Sequence, residues 1–194
     1  MAASASSSTQ VKSGSPLRLS GYVVLCELGP GPNGRTCKVR EKPHRDIPPY
    51  MDDLAPSYVL KCIDLSNQDM EPEHQQRAVQ QMQRLLNLRH TNIVQYHRAF
   101  LYEGRLCYMT EFAECSTVHH LIFTCRERGH PLPEALVWHL LLQICHGLQK
   151  LHDCKVVHHA LKTRNVLLFP EEAYAHPQFK YRCKLTDVAI PELQ

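Results

Sequence analysis

The fourteen residues VVHHALKTRNVLLF, at 156–169, concentrate groups that could do chemistry. His158, Leu161 and Asn165 stand in H-x-x-L-x-x-x-N order, the spacing of a phosphotransfer loop. Where such a loop would hold its carboxylate the chain has Ala160, and a methyl group neither orients a hydroxyl nor takes its proton. A second candidate lies upstream. In LGPGPNG, Gly29, Gly31 and Gly34 stand in G-x-G-x-x-G order, which lets backbone amides approach a phosphate closely. A dinucleotide-binding loop would open straight into a helix, whereas Pro32 and TCKVR continue as extended chain. That leaves a phosphate-binding hairpin or a plain tight turn. Lys61 in YVLKCIDL and Asp187 in CKLTDVA add a cation and a carboxylate among apolar neighbours.

The elements that would position these groups follow from periodicity. LSGYVVLCELG and RTCKVRE predict two antiparallel strands joined by the glycine-rich turn, and YVLKCIDL predicts a third. The proline-rich stretch KPHRDIPPYMDDLAPS between them reads as a loop or insertion. Over residues 71–90 the period changes: Ala78, Met82, Leu85 and Leu86 share one helical stripe, and Glu71 and Glu73 suit the positive end of a helix dipole. NIVQYHRAFLY and RLCYMTEFA predict two more strands about a Glu-Gly turn. A long helix is expected over LPEALVWHLLLQICHGLQKLHD, with Val137, Leu140, Leu141, Ile144, Leu148 and Leu151 at helical spacing and Trp138 beside them. So wide a stripe implies burial on more than one side. Strands, one helix, strands, then mostly helix make an α+β layout with two lobes.

Composition narrows the class. The 194 residues suffice for one core and a tail, so residues 1–18, small and rich in Ser and Ala, are expected to be disordered and residues 19–194 to fold. A hydrophobic fraction of 43% with 21% charged suits a soluble globular protein, and no apolar run reaches membrane-spanning length, so no membrane association is expected. A net charge of +3 spread along the chain argues against a nucleic-acid partner. The nine cysteines are odd in number and form no C-x-x-C pair, and no signal peptide is read ahead of the domain. Reduced thiols and a cytoplasmic setting are expected, with the nucleus left open. Cys154, His158 and His159 form only one loose cluster, whereas zinc needs two closely spaced ligand pairs.

A glycine hairpin, Lys61 in the third strand, a helix, two strands, the 156–169 loop and then Asp187 occur in an order that resembles the eukaryotic protein kinase family, over roughly residues 20–190. LNLRHTNIVQY and EFAECSTVHHLI are similar to its Ser/Thr branch and, within it, to the NIMA-related (Nek) kinases. The resemblance implies a small β lobe over 19–112 and the first part of a helical lobe over 113–194, with an ATP cleft between them. It makes Thr110 the gatekeeper and Glu111 to Ala113 the hinge facing adenine. Gly29, Gly31, Gly34, Lys61 and Lys162 become the phosphate-side residues, and Asn165 and Asp187 the magnesium ligands. ATP and magnesium are the implied cofactors.

Departures from the family pattern shape the functional expectation. Besides Ala160 for the catalytic aspartate, Gln81 falls where the family has the glutamate that pairs with the lysine, and D-F-G reads Asp187, Val188, Ala189. His159 is a poor substitute base, because in the family geometry its side chain points away from the cleft. The family's activation segment and remaining large-lobe helices would follow where this sequence reads AIPELQ. The leading expectation is a pseudokinase that keeps nucleotide-binding elements and acts by binding protein partners. The alternatives are a weakly active Ser/Thr kinase and a truncated fragment without function of its own.

Overall fold

The computed structural model of the chain describes residues 21–31, 34–42, 55–65, 72–171 and 180–188. The expected tail at 1–18, most of the proline-rich insertion and Ala189 lie outside the described residues.

Five strands form one antiparallel sheet. Strands β1 (Tyr22–Gly31) and β2 (Gly34–Glu41) make the expected hairpin, β3 is Ser57–Asp64, and β4 (Tyr96–Tyr102) and β5 (Arg105–Glu111) pair about Glu103 and Gly104. The order across the sheet is β1-β2-β3-β5-β4, which puts β3 in the centre. Because side chains alternate along a strand, the sheet buries two different sets. Cys37, Val39, Leu60, Cys62, Cys107 and Met109 form one cluster, while Leu106 and Tyr108 join the larger core with helix α1 (Pro72–Asn87). Pro72 sits at the first helical position, where a missing N–H costs nothing, and Ala78, Met82 and Leu85 face inward as their spacing predicts.

Beyond the sheet the chain turns helical. Helix α2 (Val118–Glu127) starts at Thr117, whose side-chain oxygen accepts the His120 amide at 3.1 Å; the sequence reading gives this segment no element. Helix α3 (Glu134–Asp153) is the long helix. It leads into a single 3-10 turn (Thr163–Asn165) and the short strands β6 (Val166–Pro170) and β7 (Tyr181–Leu185), which pair antiparallel. Neither strand was foreseen. A five-stranded antiparallel sheet with one helix between its third and fourth strands and two more after it is the α+β architecture that the sequence implied.

The wide apolar stripe of α3 is split rather than buried throughout. Leu136, Leu140, Gly147 and Leu151 are buried, whereas Val137, Trp138, Leu141 and Leu142 are exposed, Trp138 at 57%. The buried face is set by β7 and by the segment entering β4. Asn92 donates from its side chain to Gln143 and to the Cys183 carbonyl, both at 3.0 Å, and its own carbonyl accepts the Leu185 amide at 2.9 Å. This joint between sheet and helices runs over Gly147. A Cβ at that position would stand 2.8 Å from the Asn92 carbonyl oxygen and 2.9 Å from a Leu185 methyl. Gly147→Ala should therefore destabilise the fold by about 1–3 kcal/mol through overpacking, despite a helix-propensity gain of up to about 1 kcal/mol. Urea unfolding of both chains would measure the difference.

Candidate functional site

Lys61 lies on β3, directly opposite Thr36 of β2, and Thr36 in turn pairs with Gly29 of β1. The glycine hairpin and the lysine thus occupy one row across three adjacent strands. Gly29 has φ +133°, a conformation that side chains resist, and the strand is bulged between Glu27 and Gly29. Gly31 and Gly34 close the two-strand ladder against each other.

The Lys61 ammonium donates to Asp187 Oδ1, joining residues 126 apart in sequence across the two parts of the fold. Lys61 does not pair with Gln81, which is half-buried on α1. Asp187 follows β7 with φ +54°, a left-handed conformation that Asp and Asn tolerate better than most residues. Its carboxylate lies close enough to the buried tyrosines Tyr96 and Tyr108 to add to the upward shift that burial imposes on both phenols. Val188, next in the chain, is buried in the core containing Leu85 and Tyr96.

The 156–169 loop is built around its own backbone. Asn165 is buried, and its side-chain NH₂ donates to the Ala160 carbonyl at 2.9 Å, while its backbone carbonyl accepts the Thr186 amide at 3.0 Å. With the amide nitrogen committed, Oδ1 is the group left to act as a ligand, and Asp187 follows directly after Thr186, whose amide the Asn165 carbonyl accepts. Two hard oxygen donors, one anionic, suit magnesium, which keeps several waters and takes few protein ligands. Asn165 and Asp187 fit the ion by donor type. When bound, it would neutralise charge on a polyphosphate. Lys162 is exposed at the start of the 3-10 turn and its carbonyl accepts the Asn165 amide at 2.8 Å. His159 is exposed with φ +55°. Ala160 is half-buried and supplies the loop with main-chain atoms and a methyl group.

The connection between the parts is anchored by Glu111. Both of its carboxylate oxygens accept from Lys184 of β7, at 2.7 and 2.8 Å, and one also accepts the Gln95 amide at 2.8 Å. Thr110 before it is buried, and Phe112 after it lies under the Lys38 ammonium, 3.9 Å from the ring centre. Ala113 is half-buried. In the sequence Glu111 is expected to serve through its backbone, and nothing there points to its side chain or to Lys184. A carboxylate–lysine pair 73 residues apart leaves no spacing signal.

His158 is 2% exposed, and neither ring nitrogen has a hydrogen-bond partner among the described residues. Burial holds its imidazole below the usual value, an effect that its own backbone and nearby Asp187 oppose.

This order of elements and the pairing of Lys61 with Asp187 define a protein-kinase-type cleft. The protein kinase domain model matches residues 22–190, and the chain belongs to that family. Among curated relatives it is 27% identical over 147 residues to serine/threonine-protein kinase Nek1 of Mus musculus, covering 76% of this chain and 11% of that protein. It is 28% identical over 162 residues to serine/threonine-protein kinase Nek10 of Homo sapiens, covering 79% of this chain and 13% of that one. The probable serine/threonine-protein kinase nek2 of Dictyostelium discoideum is 27% identical over 152 residues, with 76% and 34% covered. The chain spans from about a tenth to about a third of the length of these relatives.

The charge state of His158 gives a signed prediction. The unfolded imidazole protonates near pH 6.5, the folded one only at lower pH. As pH falls below about 6.5 the unfolded state binds more protons, so stability declines until the folded-state value is passed; above that range this contribution is constant. His158→Phe should flatten the loss of stability between pH 7.5 and pH 5. A residual slope should remain from His90 and His97, which burial also pushes down. Urea midpoints at the two pH values test this.

Proposed function

We propose that the chain is a pseudokinase module that retains the elements for ATP and magnesium, does not transfer the terminal phosphoryl group, and acts by binding protein partners. The observation that carries this reading is Ala160, whose carbonyl is tied to Asn165 and whose side chain has no acceptor. Removing a positioned base lowers a rate by about 100- to 10,000-fold. The exposure and left-handed backbone of His159 give it no evident hold on a substrate hydroxyl.

Retention of nucleotide is supported by the row of Gly29, Thr36 and Lys61 and by the donors of Asn165 and Asp187. Protein partnership is supported by the apolar residues exposed on α3, surface of a kind that other proteins cover. No described helix is long and apolar enough to cross a membrane.

Full-length protein incubated with magnesium and labelled ATP should leave an acceptor protein unlabelled, and Ala160→Asp should raise labelling by about 100-fold or more. Labelling by the unaltered protein that disappears with Lys61→Met would establish the weakly active kinase instead. Thermal unfolding with nucleotide tests the cleft separately. At 100 times the dissociation constant, a ligand of the folded form adds about 2.7 kcal/mol, and Lys61→Met should remove most of the resulting shift.

A further inference from the structure

At the centre of the sheet, Cys62 of β3 and Cys107 of β5 are direct antiparallel partners with their sulfurs 2.8 Å apart. Both are buried, at 3% and 0% exposure. Directly opposed residues have Cα atoms about 4.5–5.5 Å apart, inside the span of about 4.4–6.8 Å that a disulfide bridges. Cys37 belongs to the same cluster, but the register sets it opposite Leu60 while Cys62 faces Arg35. The Cys37–Cys62 relation is therefore diagonal, with backbones about 7–8 Å apart, beyond that span. Among the three cysteines of this cluster, register thus selects one pair.

We propose that Cys62 and Cys107 form a reversible redox site, a dithiol that a hydroperoxide oxidises to a cross-strand disulfide. The Cys107 sulfur, as thiolate, attacks the peroxide; the O–O bond breaks, the oxygen leaving group departs with a proton as alcohol or water, and Cys107 becomes a sulfenic acid. The Cys62 sulfur then attacks the Cys107 sulfur. The S–O bond breaks, the S–S bond forms, and water leaves carrying the Cys62 proton. Two thiols lose two electrons and two protons in all, and the hydroperoxide is reduced to an alcohol and water. Cys107 attacks first because the contact between the two sulfurs holds its thiol below the usual range, while the same contact pushes Cys62 up.

The position couples this chemistry to the cleft. Lys61 and Tyr108 are the chain neighbours of Cys62 and Cys107, and they pair with each other on the opposite face of the sheet. A bond between the two sulfurs would tie β3 to β5 covalently beneath the lysine that holds Asp187. The redox site does not depend on whether the cleft binds nucleotide.

The full chain, folded, is treated with hydrogen peroxide, quenched with N-ethylmaleimide, denatured and mapped by protease and mass spectrometry. Two of the nine thiols should be lost, a single disulfide should join the peptides containing Cys62 and Cys107, and dithiothreitol should restore both thiols. Cys62→Ala and Cys107→Ala should each abolish the linked peptide, and Cys37→Ala should leave it. The map of the unaltered chain decides the matter even where a variant fails to fold. If Cys62 and Cys107 are still recovered as thiols, as overoxidised single residues, or joined to other cysteines, the proposal is overturned.

Discussion

The bond between Lys61 and Asp187 is the constraint around which the cleft is organised. It joins the central strand of the sheet to the residue that follows β7, so each part of the fold fixes the other's functional group. Neither side chain is deeply buried, at 20% and 35% exposure, so the pair is not a core element that would be costly to open. Its role is positional: with Gln81 lacking charge, Asp187 is the charged partner that takes up the lysine. The anchor at Glu111 and Lys184, with Gln95, and the joint over Gly147 keep the two parts in the register this pair requires.

Binding and chemistry separate at the 156–169 loop. The groups that would hold phosphate and metal are placed by contacts to backbone, such as Asn165 to Ala160 and Thr186 to Asn165, and neither uses the side chain at position 160. Proton transfer needs one carboxylate at that position, and there the chain has a methyl group. The loop can therefore be fully folded and still lack a base. His158 is buried near Asp187, and burial holds its imidazole below the usual value.

What was legible in the sequence divides along physical lines. The five strands of the sheet and the two longest helices were readable because alternation and the stripe of Ala78, Met82 and Leu85 report burial directly. Helix α2 was not, since its start depends on Thr117 acting as a cap and only Val118 in it is buried. Strands β6 and β7 are five residues each, too short to show a period. The stripe of α3 was visible, but an apolar pattern cannot tell which half meets β7, and Trp138 faces outward. The candidate residues Lys61, Asn165 and Asp187 were found by order along the chain. Their mutual contacts, like the pairing of Cys62 with Cys107, arise from register and could not be read from spacing.

The claim that the cleft is one assembled unit, held across its two parts by Lys61 and Asp187, is tested most directly by a double-mutant cycle on unfolding stability. Lys61→Met removes the cation, and Asp187→Asn removes the charge while tolerating φ +54°. The account predicts that the two changes are non-additive, with a coupling of about 0.5–1 kcal/mol in favour of the intact pair. Strict additivity of the two single effects would contradict it.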